Sequence, residues 1–133
     1  MLGIILVAHN HLAEAIKSVA EHVAGPLPDI LCVNVAPDDD IEQKRAEIAK
    51  KITQANKGKG VVLLTDMFGG TPSNLAISLM EEDKVEVISG MNLPMLVKLV
   101  RMRKKTLSEA VKISADSGQH YIMVASDFLR KKK

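Results

Sequence analysis

Short apolar runs alternate with stretches of helical periodicity from one end of the chain to the other. Leu2 to Ala8, Ile30 to Val35, Gly60 to Thr65 and Val85 to Ser89 are rich in Val, Ile and Leu and bounded by turn residues, which predicts four strands. The first and third are almost unbroken apolar, the pattern of central strands covered on both faces. Val85-Glu86-Val87 alternates instead, which puts the fourth nearer an edge. Between the first two strands, Leu12, Ile16, Val19 and Val23 recur at helical spacing, and Gly25-Pro26 supplies the stop. Between the second and third, Asp38-Asp39-Asp40 suits a helix N-terminus, and Ile41, Ile48 and Ile52 mark a buried stripe before Gly58. Three further helices are predicted to begin at Thr71-Pro72, after Asn92-Leu93-Pro94, and at Thr106-Leu107-Ser108-Glu109, which has the form of a capping box. A last short strand, Tyr121 to Ala125, follows Gly118. Strands alternating with helices predict an α/β fold: a mostly parallel, open, doubly wound sheet, in one domain over residues 1–133.

Composition narrows the classes of function. Hydrophobic residues at 47% and charged ones at 26% exclude a disordered chain. The net charge is only +2 and much of the positive excess lies in Arg130-Lys131-Lys132-Lys133, so no broad basic face exists and nucleic acid is not an expected partner. The tail itself reads as a solvated terminus. Cys32 is the sole cysteine, so no intramolecular disulfide can form, and an inert, buried thiol in a reducing compartment is expected. Met1 to Ala8 is too short for a signal segment and no later run spans a membrane, so a cytoplasmic location is expected.

The chemistry must then sit on loops at the carboxyl ends of the strands, where open parallel sheets bind their ligands. Those loops carry His9-Asn10-His11, Asp66-Met67-Phe68-Gly69-Gly70 and Gly90-Met91-Asn92. In a flavodoxin-like strand order, strands one and three are neighbours, and His9 and Asp66 close adjacent strand ends. A carboxylate accepting from one ring nitrogen fixes the tautomer and leaves the other nitrogen as a nucleophile. The segment Gly69-Gly70-Thr71-Pro72-Ser73-Asn74 has the makings of an anion-binding turn. Its glycines allow close backbone approach, Thr71 is placed to be the N-cap with Pro72 first in the helix, and the Thr71 hydroxyl can donate to a phosphoryl oxygen. Gly70, Thr71 and Ser73 are the expected phosphoryl-binding residues, with His9 and Asp66 as the reacting pair; no metal or cofactor is expected.

The same residues carry a resemblance over essentially the whole chain. Gly3 to His9, Val62 to Asn74 and Val85 to Leu96 are similar, in order and separation, to the enzyme IIA domain of the mannose family in the bacterial phosphoenolpyruvate-dependent sugar phosphotransferase system. The resemblance implies phosphorylation of His9, Asp66 as its orienting carboxylate and Thr71 as a phosphoryl contact. It further implies phospho-HPr as donor, a IIB protein as acceptor, at most indirect membrane association through a permease complex, and a homodimer that exchanges the last strand. Two departures stand out: Ala8 replaces the usual Thr or Ser before the histidine, and Asn10 replaces the usual Gly after it. Asn is the best non-glycine residue at positive φ, so the turn can survive.

Other readings compete with this one. A regulatory phosphoprotein of the same family would use the same chemistry to control a partner; the chain stops soon after the last predicted strand with no IIB domain attached, and Arg101 to Lys105 offers a cationic surface. A metal site of His9, His11 and Asp66 would leave Thr71 and the glycine turn unused. Otherwise His11 is an exposed first-turn residue. A flavodoxin is disfavoured by having only Phe68, Tyr121 and Phe128 as aromatics.

Overall fold

The structure, a computed structural model, describes residues 1–131. In chain order the elements are β1 (Gly3–His9), α1 (Leu12–Ala24), β2 (Leu31–Val35), α2 (Ile41–Ala55), β3 (Val61–Thr65), α3 (Thr71–Ile77), β4 (Val85–Ser89), α4 (Leu93–Arg101), α5 (Leu107–His120) and α6 (Ala125–Lys131). The four strands are parallel and ordered β2-β1-β3-β4, the flavodoxin-like order. Lys132 and Lys133, part of the expected solvated tail, lie outside the described residues; Arg130 pairs with Asp127 one turn earlier.

Alternation along each strand sorts the core into two layers. Leu2, Ile4, Leu6 and Ala8 point to one face, where Val62, Leu64 and Ile88 join them under α1, α4 and α5. Ile5 and Val7 point to the other, with Val33, Val35, Val61, Leu63 and Val85 under α2 and α3. Both faces of β1 and β3 are therefore covered, which explains their unbroken apolar runs. Ile4, Ile5, Leu6 and Val7 are fully buried, each such side chain stabilising the fold by about 2 kcal/mol. The connection after β1 runs to one face and that after β3 to the other, so a crevice opens between their carboxyl ends.

Several local expectations are met by specific contacts. Asp40 caps α2 by accepting from the Gln43 N–H at 3.1 Å, and Asp39 accepts from the Ala36 N–H at 2.7 Å, so these two acids of the triplet serve the backbone. Asn92 caps α4 through the Met95 N–H, and Thr106 caps α5 through the Glu109 N–H. Cys32 is only partly buried, on the outer strand β2. In α1 the buried positions are Ala13 and Ala20 with Ile16 packed beside them, whereas Leu12, Val19 and Val23 stay exposed. Small residues face the sheet because the helix lies close to it, and the larger apolar stripe is left outside.

The C-terminal segment requires a correction. Tyr121 to Ala125, expected as a strand, is not one: Tyr121 closes α5 by donating its N–H to the Ser117 carbonyl, residues 122–124 are irregular, and Ala125 opens α6. A strand has no hydrogen bonds of its own and forms only where an edge is available to pair with. Within this chain the turn after α5 delivers the segment to no edge, and Ile122 and Val124 are left exposed.

At the opposite end of the sheet from the crevice, Arg103 ties three segments together. Its guanidinium is buried, donates from Nε to the Leu2 carbonyl at 2.8 Å and pairs with Asp29 at 2.6 Å, while Leu2 N–H donates to the Arg103 carbonyl. Arg103→Leu should therefore lower stability by about 2 kcal/mol, since a buried carbonyl loses a charged donor. Urea denaturation measures this, and an unchanged midpoint would show that the tether contributes nothing.

Candidate functional site

β1 ends at His9, and the chain must turn sharply there to enter α1. Asn10 makes the turn at φ 50°, in the left-handed region, and its N–H is held by the Val35 carbonyl at 2.9 Å. The substitution of Asn for Gly thus preserves the turn that exposes the histidine. On the neighbouring strand, Val7 stands opposite Thr65, so Asp66 emerges beside His9.

One oxygen of Asp66 receives two groups of the same residue. Oδ2 lies 3.0 Å from the His9 backbone nitrogen and 2.8 Å from His9 Nδ1. A carboxylate oxygen can only accept, so Nδ1 carries the proton and Nε2 keeps a lone pair. The Asp66 side chain is mostly buried at 12% exposure, while that of His9 is half open at 48%. Burial alone would push the Asp66 carboxyl up, but the His9 backbone and ring hydrogen bonds, with the charge His9 can carry, hold it below the usual carboxylate range. Its other oxygen, Oδ1, is buried and unpartnered among the described residues.

Gly70 is packed against the ring. A Cβ at this position would lie 3.0 Å from His9 Cε1 and 3.6 Å from Nε2, so a side chain here would press on the imidazole beside the start of α3. Gly69 reaches this approach at φ 91°. The N-cap of α3 is Gly70 and not Thr71, one residue earlier than expected: Thr71 is the first helical residue and Pro72 the second. Gly70 brings no capping side chain, and Thr71 is exposed.

The remaining candidates divide. Ser73 is fully buried, and its hydroxyl bonds Ser89 Oγ at 2.7 Å, so its side chain is already engaged inside the fold. His11 is 86% exposed; its Nδ1 lies 3.2 Å from Glu14 Oε1, which also accepts from Asn34 Nδ2 at 2.7 Å. Among the described residues no group of three or more His, Cys, Asp or Glu side chains is arranged to hold a metal, so the set His9, His11 and Asp66 is not assembled. In the sequence, Met67 and Phe68 stand out only as members of the motif after β3. Both project from the β3–α3 loop, 60% and 76% exposed, and an apolar pair in a loop otherwise made of turn residues was the available signal.

Comparison with known proteins gives the family. The family EIIA-man, described as the PTS system fructose IIA component, matches residues 3–115. The chain is 32% identical over 112 residues to the PTS system sorbose-specific EIIA component of Lacticaseibacillus casei, covering 83% of this chain and 80% of that protein. It is 26% identical over 121 residues to the PTS system mannose-specific EIIAB component of Escherichia coli K12, covering 89% of this chain but 38% of that longer protein. Among solved structures, phosphotransferase system component EIIA from Streptococcus agalactiae superposes with a TM-score of 0.85 at 28% identity, covering 96% of this chain and 99% of that one. With its crevice, its histidine–aspartate pair and these relatives, the chain belongs to the mannose-type IIA family of the sugar phosphotransferase system, the phosphocarrier components of that system.

Proposed function

We propose that His9 Nε2 accepts a phosphoryl group from phospho-HPr and passes it to a IIB protein, in the cytoplasm. The observation that carries this reading is the double acceptance by Asp66 Oδ2, which keeps the ring proton on Nδ1 and leaves the Nε2 lone pair free beside Gly70. The Nε2 lone pair attacks phosphorus as the bond to the donor breaks, and the ring gains positive character. Asp66 stabilises that charge through Nδ1–H, while the Thr71 hydroxyl and the backbone N–H groups at the start of α3 donate to the phosphoryl oxygens. Transfer to the acceptor runs the same step in reverse. The half-open imidazole suits exchange between proteins, and Met67 and Phe68 beside it suit the rim of a protein interface.

His9→Ala should abolish labelling by phospho-HPr, and the label on the unaltered protein should be acid-labile and stable to base. Asp66→Asn should slow transfer by about 100- to 1000-fold, the usual cost of losing a group that stabilises developing charge. The amide also places a donor where Oδ1 lies buried without a partner. Labelling that persists in His9→Ala, or maps to Thr71, Ser73 or His11, would overturn the assignment.

Thr71→Ala removes an exposed hydroxyl that caps nothing in the structure, so stability should stay within about 0.5 kcal/mol while transfer slows. Single-turnover rates and urea melts on one preparation test both halves, and an unchanged rate removes Thr71 from the site.

We also infer a homodimer. Val19 and Val23 of α1 are exposed, as are Tyr121, Ile122 and Val124, and Val23, Leu93, Pro94, Val97 and Tyr121 line one groove whose remaining lining is Lys98, Arg101 and Ser117. Burying these groups against a second copy supplies the pairing that the C-terminal segment lacks within one chain. Sedimentation at micromolar concentration should give twice the chain mass; a monomer would refute the dimer.

A further inference from the structure

Three hydroxyls lie in the otherwise aliphatic layer between the sheet and α3. Thr65 Oγ1 donates to Ser89 Oγ at 2.8 Å, and Ser89 Oγ bonds Ser73 Oγ at 2.7 Å. Thr65 and Ser73 are fully buried, and Ser89 is partly so. Thr65 and Ser89 are opposite each other in the β3–β4 register, so the contact between them is set by the ladder. Ser73 comes from the first turn of α3 and reaches across to the hub.

Each member is a short step along the chain from the site. Thr65 immediately precedes Asp66, Ser73 follows Thr71 by two residues, and Ser89 immediately precedes Gly90. The Thr65 carbonyl also accepts from the N–H groups of Gly90 and Met91, at 3.0 and 2.9 Å, so β3 holds the β4 loop by backbone as well as side chain. Among the described residues the start of α3 has no comparable backbone anchor to the sheet. Its N-cap is glycine, with no side-chain cap, and the helix is seven residues long. Among the described residues, the side-chain hydrogen bond fastening its first turn to the sheet is Ser73–Ser89.

Aliphatic packing resists separation but tolerates sliding, whereas a hydrogen bond weakens steeply with distance and angle. The approach of Gly70 to His9 leaves little room for sliding, because a Cβ there would already be 3.0 Å from the ring. We propose that Ser89 is a positioning residue for phosphoryl transfer: through Ser73 it sets where the first turn of α3 stands relative to His9 Nε2, without touching the phosphoryl group itself. Ser73 then acts through its buried hydroxyl as the helix end of this tether. The inference rests on His9 being the phosphoryl acceptor.

The test is single-turnover transfer from phospho-HPr to the full chain, with donor concentration varied, for the unaltered protein, Ser89→Ala, Ser73→Ala and the double variant. Ser89→Ala should lower the saturating rate by about tenfold or more, as a shift of the order of an ångström does to an aligned reaction, and leave the half-saturating donor concentration unchanged. Ser73→Ala should do the same, and the double variant should be no slower than either single one, because all three break one link. If Ser89→Ala fails to fold, Ser73→Ala carries the test, since it leaves the Thr65–Ser89 bond intact. Folded single variants that transfer within twofold of the unaltered rate, or whose effects multiply in the double variant, would overturn the inference alone. An unaltered protein that takes no label at His9 would overturn the phosphocarrier reading and this inference with it.

Discussion

Two N–H groups of His9, one from its backbone and one from its ring, converge on a single oxygen of Asp66. The backbone contact fixes where β1 ends relative to β3, and the ring contact fixes which nitrogen keeps its lone pair. Neither would hold if the carboxylate could swing away. It cannot do so freely, because Asp66 is largely buried and follows the last residue of a central strand. The hydrogen bonds also keep the carboxyl ionised against the opposing effect of burial, so the acceptor remains an acceptor. Orientation and charge thus come from the same contact.

That contact is available only because β1 and β3 lie side by side with their connections leaving to opposite faces. The helices after the two strands part, and the crevice between them exposes the imidazole edge. The glycine pair then lets α3 start against the ring itself. A residue with a Cβ at position 70 would push either the helix or the histidine away. The hydroxyl chain beneath α3 adds direction to an interface that aliphatic packing alone would leave less defined. The buried layers end at the site, and the side chains beyond them, Met67, Phe68 and Thr71, are exposed.

The departures from the family pattern have different weights. Asn10 takes the left-handed conformation that glycine would otherwise supply, so the turn after β1 is kept. Ala8 is fully buried in the layer under α1 and α4, on the sheet face opposite α3. His11 is exposed and pairs locally with Glu14 at the start of α1.

Patterns of apolar residues along the chain determined the strands, the parallel sheet with two covered faces, and the loops that carry chemistry. These are legible because burial on both faces writes an unbroken run into a strand, and because His9 and Asp66 sit at the ends of such runs. The acid cap at Asp40 and the turn at Asn10 were legible for a different reason: one is a contact between residues three apart and the other a backbone conformation set by the residue itself. Tertiary structure alone decided the rest. The convergence of two His9 donors on one oxygen, the contact of Gly70 with the ring, and the Thr65–Ser89–Ser73 chain join residues far apart in sequence, and no local pattern encodes their distances. The segment from Tyr121 to Ala125 shows the limit most directly. Its composition favours a strand, but a strand needs a partner, and whether an edge is within reach is a property of the folded chain.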